Sequence, residues 1–418
     1  MHAQTTPLGF GSGNKLIKQL GKGLMFIYIL STFIAHSEYF PLELNSISLY
    51  GFLAFGLLNF IFNKQFNISN LHFIWYGVFF CFSLLWVGIL QFYWPGSEWF
   101  STIYQMFIVL ALSLSFAQFI ESRKDLRIIC YAYMLGAVLL IIFLSASGLL
   151  EEEERLGKDI MGNANTFAAM YMTAAILSIW MALNGKNLFE KILFWIGIII
   201  IYYGLLLSGG RKFILIPFLA LYTMLLLRKD KQGRRHIVIY TFLVVALLSG
   251  LIWLMMNNDD LYKVVGYRMQ YLFNMVEGTG EIGSSNELRQ KLYNLAILQG
   301  FESPVWGHGF DAFKNLGRQE LHFYAYSHNN WAELWYNHGL IGLLIYYWFF
   351  YKTIACFWRY RNTSQDIATF GIAIIVATFV FEIGAVSYFL YQTQILFSIS
   401  SALFLICLQE KEAKYAQT

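Results

Sequence analysis

The sequence has little charge. Its 418 residues include 29 Lys and Arg and 25 Asp and Glu, 13% in all, about half the share of a soluble domain. A formal charge of only +4 excludes a strongly basic nucleic-acid binder, so nucleic acid is not an expected partner. The thin charged surface also excludes a soluble enzyme and a disordered chain. Cysteine is scarce as well. Cys81, Cys130, Cys356 and Cys407 lie in or beside apolar runs, without a CxxC pair. That excludes a disulfide framework and a zinc knuckle, and leaves free intramembrane thiols.

What fills the chain instead is apolar: 58% of the residues, about 242 positions. A bilayer-spanning helix takes roughly 20 apolar residues, so there is material for about a dozen spans. The runs are long rather than short and alternating, which argues against an outer-membrane barrel. The expected fold class is an all-α polytopic membrane protein. Apolar runs lie near residues 20–35, 46–62, 71–92, 100–120, 126–149, 164–183, 189–207, 213–228, 236–256, 339–357, 366–384 and 388–408. Nine spans thus occupy 1–256, a hydrophilic segment 257–338, and three spans with a short tail 339–418. Lys15, Lys18 and Lys22 flank the first run, and no small-residue cleavage site follows it, so it reads as a retained helix.

Positive charge orients the bundle. With the N-terminus in the cytoplasm, 19 of the 29 Lys and Arg fall on cytoplasmic segments. Loops 36–45 and 92–99 and the turn near 385 have none. By the positive-inside rule both termini are cytoplasmic, and 257–338 faces the extracytoplasmic space. Of the ten remaining cations, Lys158, Lys263, Lys291 and Lys314 read as solvated charge. Arg211 differs: it lies in Leu207-Ser208-Gly209-Gly210-Arg211-Lys212, a short outer turn between apolar helices, at headgroup depth. A snorkelling anchor is the plain alternative.

The outer segment carries helix signals of its own. Ser284 to Glu287 has capping-box spacing, and Leu288, Leu292, Leu295 and Ala296 repeat with helical period until Gly300. An amphipathic helix over about 285–299 follows, with Arg289 in its first turn, where the helix dipole prefers anions. Asn330 to Glu333 repeats the capping spacing, so a helix starts near Asn330, just after His328. The positive end of that helix disfavours imidazolium and keeps the ring able to accept a proton, as a general base must. The alternative is a histidine that only bonds a carbonyl. His328, Glu333 and His338 stand five apart, off the spacing of helical zinc ligands. No metal or other cofactor is expected.

Four motifs in order, Arg155-Leu156-Gly157 with Asn163-Ala164-Asn165, Ser208-Gly209-Gly210-Arg211, Arg289 with Pro304 and Gly307-His308-Gly309-Phe310, and His328-Asn329 with Gly339-Leu340-Ile341-Gly342, resemble one family. It is the O-antigen ligase and Wzy-type polymerase superfamily of bacterial envelope glycosyltransferases. The resemblance covers about Arg155 to Gly342 and implies a GT-C-type fold. It implies transfer of a glycan from an undecaprenyl-pyrophosphate carrier to a sugar hydroxyl, in O-antigen, lipopolysaccharide or capsule synthesis at the cytoplasmic membrane. Arg211 is the first choice for the pyrophosphate and Arg289 the second, because a planar guanidinium matches phosphate oxygens. Arg155 and Arg268 are further contacts, with Asn163, Asn165, Asn329 and Trp331 on substrate. Trp306, Trp335 and Tyr336 are sugar platforms by residue type. His328 takes the proton of the acceptor hydroxyl in a direct inverting displacement. Lys212 after Arg211, and Ala164 where the family has proline, depart from the pattern.

Three readings differ in outcome. A polymerase joins repeat units, with a chain-length regulator as a possible partner, and is favoured because it occurs in both envelope types. A ligase moves the finished glycan to lipid A–core. A transporter of the same lipid-linked sugars would place charge and broken helices at the midplane in repeated halves. Here Glu382 is the main charge within a span, Pro217 the main proline, and no half-to-half repeat is visible.

Overall fold

The computed structural model describes residues 11–34, 42–63, 68–89, 99–150, 155–158, 161, 163–228, 234–281 and 283–416, and these contain helices and no strand. Nine helices come first: α1 (Gly11–Ile34), α2 (Leu42–Asn63), α3 (Leu71–Leu84), α4 (Trp99–Phe119), α5 (Arg123–Ala146), α6 (Ala164–Asn184), α7 (Leu188–Leu207), α8 (Arg211–Leu227) and α9 (Arg234–Asn257). A π-helical turn extends α3 to Ile89. The hydrophilic segment holds a single turn α10 (Asp259–Leu261), then α11 (Tyr267–Glu277), α12 (Ser284–Gly300) and α13 (Phe313–Leu321). The chain closes with α14 (Asn330–Tyr360), α15 (Gln365–Glu382) and α16 (Tyr391–Tyr415). Ten helices are long and apolar enough to cross a membrane; α3 and α8, with 14 and 17 residues, are shorter. The protein is an all-α polytopic membrane protein. The expected loops at 36–45 and 92–99 lie largely outside the described residues, as do Lys64, Glu151 to Glu154, Gly162, Lys229 and Lys231. All four cysteines are free thiols.

Helix α6 is the hub. Seventeen of its 21 residues are buried, as expected of a helix apolar all round. Asn163 caps it, its side-chain oxygen accepting from the Asn165 N–H at 2.8 Å; Asn187 caps α7 in the same way at 2.8 Å. Helix α9 is the opposite case: Val238, Phe242, Val245 and Trp253 point away from the bundle, the surface a lipid-facing helix presents.

At one end of the bundle the charges are paired. Arg123 bonds Asp366 and Glu410, Arg127 lies 2.9 Å from Glu190, and Lys22 lies 2.6 Å from Asp125. Between the ends a buried polar chain threads the interior. Asn59 donates to Gln118 at 3.1 Å. His72 contacts Gln394 at 3.1 Å and Ser398 at 2.9 Å, and Gln394 donates to the Tyr346 hydroxyl at 3.3 Å. Tyr346 and Tyr347 donate to the two oxygens of Glu382 at 2.7 and 2.8 Å, and Asn330 donates to Tyr347 at 3.2 Å. Glu382 is thus solvated by hydroxyls, which is how a carboxyl is tolerated at such depth.

Helix α14 is broken at Gly339, whose φ of 62° and ψ of −161° leave the helical region. The backbone around residues 304–309 fills the break. His308 N–H donates to Tyr336 O at 2.8 Å, Gly309 N–H to Asn337 O at 3.1 Å and Leu340 N–H to Pro304 O at 2.8 Å. Irregular backbone inside a bundle survives only where protein satisfies it in this manner. The glycines of both motifs are needed here because the two backbones touch.

Three expectations for the outer segment are corrected. Helix α12 begins at Ser284 with Gly283 as its cap and no side-chain cap bond. Gly283 takes a φ of +76° beside the Tyr271 ring, which moves the helix start one residue ahead, and Glu287 pairs with Lys291 at 3.1 Å instead. Arg289 is consequently the sixth residue of α12, beyond its first turn. Lys314 is not solvated: it is 5% exposed and lies 3.1 Å from the buried Asp311. The apolar stripe behaves as read, with Leu292 and Ala296 buried against Phe313, Leu316, Ala332 and Tyr336.

Candidate active site

A cavity of about 620 Å³ lies at the bundle end opposite the ion pairs, bounded by α8, α11, α12, the 327–329 loop and the turn at 383–384. Its floor is the 207–210 turn. Gly209 has a φ of +64°, and a Cβ there would meet Val264 O at 2.9 Å and Arg155 Nε at 3.2 Å, so this position requires glycine. Arg155 Nε donates to Ser208 O at 3.0 Å, and Leu156 N–H to Leu207 O at 3.0 Å, docking the 155–158 loop on the turn.

Arg211 and Lys212 open α8 ahead of its apolar stretch, which starts at Phe213. Successive helix residues diverge by about 100°, and the two cations take opposite walls. Arg211 donates to Arg268 O and, at 2.7 Å, to Asn286 Oδ1, on the α11–α12 side. Lys212 donates to Gly384 O and lies 4.6 Å from the Phe381 ring centre. Arg268 stacks on Tyr267 and donates to its hydroxyl at 2.9 Å.

His328 has a φ of 57°, a conformation in which its loop is held from both sides. Ser327 N–H donates to Glu333 at 2.7 Å. Asn329 is the cap of α14, one residue ahead of expectation: its oxygen accepts from Trp331 N–H at 2.9 Å and Ala332 N–H at 3.0 Å. Its Nδ2 donates to Ile383 O at 3.0 Å. The Asn329 side chain is therefore occupied with backbone, and its role is to place His328.

Among the described residues the cavity wall holds four arginines and a lysine and no Asp or Glu. Arg211, Lys212, Arg268 and Arg289 have no carboxylate partner among those residues. Crowding shows in their acidities. Burial, then Arg289 and Arg268, bring Arg211 down to about 10. Burial and then Arg289 bring Lys212 down to about 7. Arg289 is lowered by burial and Arg268. His328 falls to about 4 through burial, then Arg289 and Lys212. The direction disfavours imidazolium, and its first causes are burial and neighbouring cations rather than the helix dipole. Cations assembled without counter-charge make an anion site, because an arriving anion reverses the mutual repulsion.

Residues 196–347 match the O-antigen ligase family. The matched stretch contains Arg211, Lys212, Arg268, Arg289 and His328, so most of the cavity's cations and its histidine lie on it, while Arg155, Asn163 and Asn165 lie before it. No curated protein matched the chain.

Of the residues singled out from sequence, Arg155, Asn165, Arg211, Arg268, Arg289, His328 and Asn329 meet at the cavity. Asn163 serves as a helix cap. Trp331 is off the cavity wall, stacked on Tyr347 with ring centres 4.2 Å apart. Trp335 packs on Phe301 and Tyr336 on His308. Sequence reading passed over Asn286, Gln290 and Tyr293, which line the cavity with Arg289. Their spacing on α12 was the available signal, since residues three and four apart share a helix face.

Proposed function

We propose that the protein is a membrane glycosyltransferase of the bacterial cytoplasmic membrane, acting on its outer face. The donor is a glycan on undecaprenyl pyrophosphate and the acceptor a sugar hydroxyl. The observation that carries the reading is a cluster of cations, with no Asp or Glu among the described residues of its wall, beside His328 and largely inside a stretch that matches O-antigen ligase. The paired charges at the opposite end of the bundle fit a cytoplasmic face and support the orientation.

In this mechanism Arg211 and Arg289 grip the diphosphate, with Arg155 and Arg268 beside them. The acceptor oxygen attacks the anomeric carbon, the bond from that carbon to the diphosphate oxygen breaks, and its electron pair stays on the diphosphate. His328 takes the proton of the acceptor hydroxyl. The arginines stabilise charge that grows on the leaving group, and holding two lipid-tethered reactants in line supplies much of the rate. Joining repeat units of O-antigen or capsule, with or without a chain-length regulator, is the favoured outcome. Ligation to lipid A–core uses the same site with another acceptor.

The test is incubation of the purified protein in liposomes with undecaprenyl-pyrophosphate-linked repeat units, without lipid A. A ladder of products that vanishes in His328→Ala supports a polymerase. Product only after lipid A–core is added makes it the ligase, and no product in either arm with a native donor removes the transferase reading.

A further inference from the structure

The charges in the cavity exceed what the proposed donor needs. A diphosphate joining lipid and sugar carries about two negative charges near neutrality, one per phosphorus. Arg211, Arg268 and Arg289 bring three positive charges without a carboxylate partner among the described residues, and Lys212 supplies a fourth once an anion favours its charged form. The surplus has a location. Arg211 is fastened to the α11–α12 wall through Arg268 O and Asn286, whereas Lys212 turns to the far wall and bonds Gly384 O.

The histidine loop is tied to the turn that holds Lys212, with Arg289 of α12 also facing the ring. Asn329, next to His328, donates to Ile383 O at 3.0 Å, and Lys212 bonds the adjacent carbonyl of Gly384. One turn therefore holds the lysine and the histidine loop side by side. An ammonium has three N–H donors, and Gly384 O is the one protein acceptor Lys212 has among the described residues. Its other neighbours are the faces of Phe213 and Phe381, 5.1 and 4.6 Å from their ring centres. A Cβ at Gly384 would lie 3.3 Å from Lys212 Cδ and 3.6 Å from its ammonium nitrogen, so glycine leaves that group room. Lys212 lines the cavity with its ammonium held by one carbonyl, which leaves N–H donors on the cavity side for an anion.

We propose that Lys212 is a specificity-determining residue that binds an oxyanion on the acceptor sugar, beside the hydroxyl that His328 deprotonates. This rests on the transfer reaction proposed above. The oxyanion is a carboxylate of an acidic sugar or a phosphate substituent, and a compact point charge with rotatable donors accepts either.

The experiment uses the full chain in nanodiscs, with sodium pyrophosphate binding followed by calorimetry. With pyrophosphate present, saturation-transfer NMR then compares methyl glucoside, methyl glucuronide and methyl glucoside 6-phosphate. Variants are Lys212→Met, Lys212→Arg and Gly384→Ala. In the wild type we expect one or both anionic glycosides to bind at least tenfold more tightly than the neutral one, and which does so identifies the oxyanion. Lys212→Met should abolish that preference while weakening pyrophosphate clearly less than Arg211→Ala does. Lys212→Arg should retain part of the preference, and Gly384→Ala should weaken it by crowding the ammonium. The inference falls if Lys212→Met weakens pyrophosphate as much as Arg211→Ala does, or if the wild type shows no preference for an anionic glycoside. Both outcomes leave the diphosphate site intact. A wild type that binds no pyrophosphate overturns the donor reading and this inference together.

Discussion

Gly339→Ala would place a methyl group where the two halves of α14 meet the inserted loop. The new Cβ would lie 2.5 Å from the carbonyl carbon and oxygen of Val305 and 2.6 Å from Gly307 N. All three atoms are backbone, so no rotamer change relieves the clash. The φ of 62° and ψ of −161° fall in a region open almost only to glycine, at a cost of about 1–3 kcal/mol for other residues. Withdrawing the 304–309 loop would break the three hydrogen bonds described above and the longer one from Ile341 N–H to Val305 O at 3.4 Å. At about 1 kcal/mol for each of the four bonds, with the backbone strain added, the total loss is about 5–7 kcal/mol. With about 2 °C per kcal/mol for a long chain, tryptophan-fluorescence melting in detergent should show a midpoint about 10–14 °C lower. Gly250→Ala on α9, where a Cβ meets nothing within 4 Å, is the control and should not melt lower than the wild type. A Gly339→Ala protein as stable as that control would refute the account of the break.

Arg211→Lys keeps the charge but loses the planar fork that reaches both Arg268 O and Asn286. A fall of roughly ten- to a hundredfold in kcat/KM is expected, about 1.4–2.8 kcal/mol, with unchanged melting; a loss below threefold would remove Arg211 from the diphosphate. His328 is neutral, and able to accept a proton, at any pH above about 4. The acid limb of kcat/KM should therefore lie near 4 and not near 6.5, with activity lost as pH falls through it. Lys212→Met removes one cation that lowers this histidine, so the limb should move up by roughly one unit; a limb that stays or moves down contradicts the assignment. Gly209→Ala should cost both stability and activity, because at a φ of +64° its Cβ meets the backbone oxygen of Val264 at 2.9 Å and Arg155 Nε at 3.2 Å; a melting curve unchanged from the wild type would contradict the need for glycine there.

Much of the architecture was legible because lipid demands long apolar runs, and each run became a helix. The joining of α14 was not: a helix start near Asn330 and a span from 339 were both expected, but the break at Gly339 that links them depends on a segment some thirty residues earlier. Lys314 misled for the same kind of reason: its partner Asp311 sits at a φ of 55°, which local spacing does not reveal. At the site, Arg211 stood out by its short outer turn at headgroup depth, His328 by its place just before a helix start, and Arg289 because a cation near a helix N-terminus has a weak structural role. The joining of α11 and α12 to the 207–210 turn is tertiary, and so was the part of Lys212, which became visible only once Gly384 was seen beside it.

The buried polar chain has a consequence for how the protein is made. His72 lies in α3, and its partners Gln394 and Ser398 lie 322 and 326 residues later. At about 5–20 residues per second of synthesis, α3 leaves the ribosome roughly 16–64 s before those partners exist. During that interval α3, with His72 as its second residue, carries an imidazole toward hydrocarbon without these partners. Such a helix must be sheltered by the insertion machinery or wait at the headgroups until α16 arrives. Completion of the fold is thus tied to the last helix, and truncation before Gln394 should send the nascent protein to membrane quality control even though every residue of the cationic cavity has already been translated.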